Sequence, residues 1–165
     1  MAHEGLTART DAKIRYAKLH LMELREYDHR GHGHDFERAH QEAFFAQLFG
    51  AYAGLFQELN KDLDCGLDPE RVSLGNMRNT MKNKGPVSEK LSELYNLEQD
   101  ATTWLSKAKT MRDHISHLGG IPLSFYDDVT SFRHPKTMVE LPGDYFDYLE
   151  NWVIEMEALI KRMRV

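Results

Sequence analysis

Cysteine is almost absent: Cys65 stands alone in 165 residues, so no disulfide can form within the chain. Nothing in the sequence around Cys65 marks it as a nucleophile, and a lone cysteine fits a reducing compartment. Long apolar runs are missing too. The hydrophobic stretches last only a few residues, where a membrane span needs about 20. The opening Met-Ala-His-Glu-Gly lacks the charged, then apolar, then small pattern of a secretory leader, so the expected location is cytoplasmic. Basic charge is not in excess. The formal net charge of −5 excludes a bulk electrostatic nucleic-acid binder and leaves only local contact through a few residues in a cleft. No glycine-rich phosphate loop, internal repeat, low-complexity tract or linker is present, so residues 1–165 read as a single domain.

What is present is helical periodicity. Ile14, Ala17, Leu21 and Leu24 step by three and four residues, and the glycines of Arg30-Gly31-His32-Gly33-His34 end that helix near Asp28. Asp35 is a good N-cap for a second helix reaching about Leu63. That helix carries a bulky stripe, Phe45, Phe49, Tyr52, Phe56 and Leu59, and a small one, Ala39, Ala43, Ala46, Gly50 and Ala53. The small stripe permits close helix approach, inside the bundle or between subunits. Asp68-Pro69 predicts the start of a third helix with Val72 and Met77 in the core, stopped by Gly85-Pro86. Ser88 caps a short fourth piece through Leu91, Leu94 and Leu97. Ala101, Trp104, Ala108, Met111 and Ile115 predict a fifth helix that Gly119-Gly120 ends.

Residues 121–141 break the pattern. Ser124–Tyr126, Thr130–Phe132 and Thr137–Val139 predict short strands in a small hairpin or irregular excursion, with prolines interrupting the segment. Gly143-Asp144 then opens a last helix whose buried stripe is Tyr145, Leu149, Trp152 or Val153, Met156, Ile160 and Met163. The expected fold is an all-α, up-and-down bundle of about four main helices plus shorter ones.

The chemistry concentrates in Arg112-Asp113-His114-Ile115-Ser116-His117. Arg112 stays charged at any working pH and can grip a phosphate through two parallel N–H donors. His117 titrates near neutrality and can move a proton to or from a ribose hydroxyl or a leaving oxygen. Asp113 can orient either group, with His114 as an accessory. Five helical steps at about 100° separate Arg112 from His117 by roughly 140° around the axis. They therefore share a site only if the helix ends near His117, if Arg112 reaches round, or if a second subunit contributes its copy. Arg15 to His20 and Arg25 to His32 repeat the spacing, but the first lies within a continuing helix and the second across a loop.

A rival constellation is His29, His32 and His34, with His40 on the following helix; such imidazole density suits zinc, nickel or copper. The carriers are separated by glycines and lack a cysteine or a His-Glu-x2-His partner, so a solvated loop is the plainer reading. Glu37-x2-His40 has no second copy, which argues against a carboxylate-bridged di-metal bundle.

Arg112-Asp113-x3-His117 resembles the signature of the HEPN superfamily, compact helical bundles carrying Arg-x4-6-His near the end of a late helix. Trp104-x2-Lys107-Ala108-x2-Met111 and Gly119-Gly120-Ile121-Pro122 fit that setting, as do Ala12-x4-Ala17-Lys18-Leu19-His20-Leu21 and Phe44-Phe45-x2-Leu48 upstream. The resemblance covers roughly residues 10 to 120. It implies a homodimer with the two motifs meeting at the interface. For many members it also implies metal-independent RNA cleavage, in defence or toxin–antitoxin systems with a cognate antitoxin. Other members are non-catalytic binding or assembly modules. On this reading Arg112 clamps phosphate, His117 transfers the proton, Asp113 and His114 assist, and no cofactor is required.

Overall fold

The computed structural model describes the backbone of residues 2–26, 34–118, 123–126, 129–133, 140–141 and 145–165, and the side chains of residues 4–26, 35–115 and 145–165. Six α-helices lie among the described residues: α1 (Ala2–Glu26), α2 (His34–Asp62), α3 (Leu74–Lys84), α4 (Glu89–Gln99), α5 (Trp104–Leu118) and α6 (Tyr145–Met163). Between α5 and α6 come β1 (Leu123–Tyr126), β2 (Val129–Arg133) and β3 (Glu140–Leu141). They form an antiparallel sheet in the order β1-β2-β3, with Leu123 opposite Phe132 and Arg133 opposite Glu140. The protein is an all-α bundle with a small sheet appended, and α1, α2, α5 and α6 are its long members. The first two predicted strands are present. The third paired segment is residues 140–141; the predicted 137–139 lies outside the described residues.

Helices α1 and α2 form an antiparallel hairpin, shown by the approach of Thr10 to Gly54, Lys13 to Gly50 and His20 to His40. Helix α6 runs antiparallel to α1, held at its solvent edge by Lys18–Glu157 at 2.7 Å and Arg25–Glu150 at 2.9 Å. The apolar faces of α1, α2, α5 and α6 enclose Ile14, Ala17, Leu21, Phe44, Phe45, Leu48, Leu55, Met111, Ile115, Trp152 and Met156. Burial of these side chains is the driving term of the fold, each fully buried large one contributing about 1.5–3 kcal/mol.

Three expectations about the elements need correction. Asp68-Pro69 opens only a 3-10 turn, Pro69–Arg71; α3 begins after Ser73, whose Oγ accepts from Asn76 N at 3.2 Å. Val72 is accordingly only partly buried. Ala101 is exposed in a turn, and α5 opens at Trp104, so Leu105 joins Ala108, Met111 and Ile115 in the core. The small stripe on α2 divides: Gly50 packs against Lys13 of α1 and Ala43 is half-buried, while its other three members are exposed. Ala39, Ala46 and Ala53 face solvent on a strip beside the aromatics, and the close approach to α1 is made by Gly50 and Gly54. On α6 both Trp152 and Val153 are buried, because that helix packs against neighbours over a wide arc.

Candidate functional site

Thr103 fixes where α5 starts. Its Oγ accepts from Ser106 N at 3.2 Å, an N-cap bond, and its hydroxyl proton faces the Asp100 and Leu97 carbonyls at 2.9 and 2.5 Å. Asp100 closes the preceding turn by accepting from Thr102 N at 2.9 Å and Thr102 Oγ at 2.7 Å. Those two bonds, the hydroxyl's first, hold the Asp100 carboxyl below its ordinary value of 3.8. From this start the helix runs unbroken to Leu118, so Arg112, Asp113, His114 and position 117 share one regular backbone.

Arg112 is 32% exposed at its side chain. Its Nε donates to Asp113 Oδ1 at 2.8 Å, and its Nη2 donates to the same oxygen. The guanidinium carbon lies 4.5 Å from the centroid of the Phe49 ring on α2. Stacking and ion pairing together limit how the guanidinium can swing, while its Nη1 donors stay outside the Asp113 pair. Phe49 was legible in the sequence only as a core residue. Its service as a platform for Arg112 depends on the antiparallel setting of α2 and α5.

One turn before Arg112, Lys109 pairs with Glu98 at 3.2 Å, and Tyr52 donates its hydroxyl to the other Glu98 oxygen at 3.0 Å. Burial, followed by the Glu98 charge and that hydrogen bond, pushes the Tyr52 phenol far above 10.0. Tyr52 is therefore a fixed donor here.

The other motif residues divide. Asp113 is on the surface beside Arg112, half exposed. His114 is turned inward, 7% exposed. For His117 the backbone position is described and the side chain is not. Four helical steps bring position 117 to within about 40° of Asp113, whereas Arg112 and position 117 stand roughly 140° apart. Asp113 is thus the link: Arg112 bends round to it, and position 117 lies one turn beyond on the same face.

Of the rival histidines, His29 and His32 and the His34 side chain lie outside the described residues. His40 meets a partner that the sequence did not single out for it. His20 Nδ1 lies 3.3 Å from His40 Nδ1, with ring centroids 5.3 Å apart. Burial first, and His40 second, hold His20 below its usual 6.5 against the opposing pull of Glu23. The available signal was symmetry: the two histidines are equidistant from Arg30 in the predicted turn, so an antiparallel hairpin folds one onto the other. Among the described residues no group of three or more His, Cys, Asp or Glu is arranged to hold a metal ion. Among them, too, no helix is long and apolar enough to cross a membrane.

Compared with protein-family models, curated proteins and solved structures, the chain matches none.

Proposed function

We propose that this chain is a HEPN-type protein that cleaves RNA without a metal ion at the C-terminal end of α5. The observation that carries the reading is the Arg112 guanidinium. It is stacked on Phe49, paired with Asp113, and still partly open to solvent. A cation restrained in this way loses little freedom when it grips a phosphodiester, and it stabilises the charge that develops on the phosphoryl oxygens. His117 takes the proton from the ribose 2′-hydroxyl or delivers one to the leaving 5′-oxygen. The 2′-oxygen attacks phosphorus as the P–O5′ bond breaks, and no metal-bound water is needed. Asp113, one turn from position 117 and in contact with Arg112, orients the pair. A homodimer would complete the site by setting two motifs face to face, and a cognate antitoxin would be the controlling partner in a toxin setting.

The test is cleavage of single-stranded RNA in excess chelator by wild type, Arg112→Ala and His117→Ala, with circular dichroism as the folding control. Cleavage by wild type that survives chelation and disappears in both folded variants supports the proposal. Wild-type protein inert on a panel of RNAs rejects it.

A second reading is a non-catalytic homodimeric module on the same bundle. It is favoured by the solvent-facing Ala39, Ala46 and Ala53 on α2 and by exposed Tyr16, Leu19 and Met22 on α1. Tyr16, Leu19 and Met22 follow at three-residue steps opposite the buried Ile14, Ala17 and Leu21, so each helix of the hairpin presents an outward row of apolar or small side chains. Sedimentation or light scattering at micromolar concentration separates a dimer from a monomer.

A further inference from the structure

The His20–His40 contact crosses the α1–α2 seam about two turns from the helix ends nearest the His-rich connection. The Nδ1···Nδ1 separation of 3.3 Å is long beside the usual ~2.9–3.0 Å of an N–H donor bond. It matches the edge of a tetrahedral site, since two nitrogen ligands each about 2.05 Å from a zinc ion stand roughly 3.3 Å apart. The rings are inclined by 64° in a T-shaped arrangement rather than stacked, and Nδ1 of one faces Nδ1 of the other across the seam. Phe36 lies against His40, ring centroids 4.3 Å apart, and limits its rotation. Glu23, one turn beyond His20 on α1, adds negative charge to the same neighbourhood.

We propose that His20 and His40 form the protein edge of a divalent transition-metal site, with Zn2+ as the fitting ion, that clamps α1 to α2. Imidazole nitrogens suit zinc, copper and nickel, and water completes the coordination where no further side chain does. Without metal, one ring donates its Nδ1 proton to the other. With metal, the donor ring carries its proton on Nε2 instead, both rings stay neutral, and each Nδ1 lone pair is given to the ion. The clamp is separate from Arg112 and independent of whether the chain cleaves RNA.

The experiment is competitive titration of chelator-stripped protein with Zn2+ alone, using a chromophoric indicator, for wild type, His20→Gln, His40→Gln and the triple variant His29→Ala/His32→Ala/His34→Ala. Wild type is expected to take up about one equivalent and to gain thermal stability with Zn2+, as any ligand of the folded state confers. Each single Gln variant is expected to lose at least about tenfold in affinity together with the thermal gain. No uptake by wild type up to about millimolar Zn2+ overturns the proposal. So does binding that survives both Gln variants, including the case where only the loop triple variant abolishes it. Should a Gln variant fail to fold, imidazole 15N shifts of wild type decide: Nδ1 of His20 and His40 must move on adding Zn2+, and unchanged shifts overturn the assignment.

Discussion

Arg164 and Glu58 form a two-point ion pair: Nε donates to Oε2 at 2.8 Å and Nη2 to Oε1 at 3.0 Å. The Glu58 side chain is 1% exposed about one turn before the end of α2, and Arg164, just past α6, also reaches Asp11 on α1 at 2.8 Å. One guanidinium just past α6 thus joins three helices, and the Glu58 bond is the leading reason that its proton is held more tightly than usual. Removing Arg164 leaves a carboxylate buried without its cation. Arg164→Ala is therefore expected to cost about 3 kcal/mol, seen as a lowered urea midpoint at unchanged slope. The double variant Glu58→Gln/Arg164→Ala should recover part of that loss. A double variant no more stable than Arg164→Ala would show that the buried charge is not the cause.

Gly54 is a position where α1 and α2 leave no room for a side chain. A Cβ there would sit 2.5 Å from Thr10 Oγ and 3.3 Å from Thr10 Cβ. Gly54→Ala should lower stability by about 1–3 kcal/mol through overpacking, although alanine is the better helix former. Gly50→Ala should be milder, because its Cβ meets the flexible Lys13 chain at 3.2 Å. Thermal melts of both, and of Thr10→Ala/Gly54→Ala as the relieved pair, check the ordering. Equal effects at Gly50 and Gly54 would contradict it.

The turn before α5 should respond to acid. Because Thr102 holds the Asp100 carboxyl below 3.8, the folded chain keeps it ionised at a pH where the unfolded chain has begun to take up the proton. The resulting stability is present above about pH 3.8 and is lost as pH falls through the lower folded-state pKa. Asp100→Asn should flatten that limb of the stability–pH curve. Thr103→Ala should cost about 1 kcal/mol at all pH values through loss of the N-cap.

The Arg112–Asp113 pair is solvent-accessible, so its loss should matter to chemistry more than to folding. Asp113→Asn is expected to change stability by no more than about 0.5 kcal/mol. On the proposed mechanism it should also lower the RNA cleavage rate by about tenfold, and His117→Ala by about a hundredfold or more. Arg112→Lys keeps the charge but loses the fork geometry, and should stay close to Arg112→Ala in rate. Full activity in Arg112→Lys would mean that the guanidinium is not gripping a phosphate in two places.

The sequence by itself determined the helical class, the four long helices and most of their buried faces. Spacings such as Ile14-Ala17-Leu21 and Ala108-Met111-Ile115 admit one solution when an apolar face must leave water. It also determined that Arg112 and position 117 lie on one helix. The start of α3 was misread because Asp68-Pro69 and Ser73 are both good caps, and a cap does not say which helix follows it. Only the tertiary structure decided which face of α2 is outside, that Phe49 underlies Arg112, that His114 turns inward and that His20 meets His40. The physical reason is that periodicity fixes a side chain's angle about its own helix axis. The partner met at that angle depends on how the helices are set against one another, which is a property of the whole packed bundle.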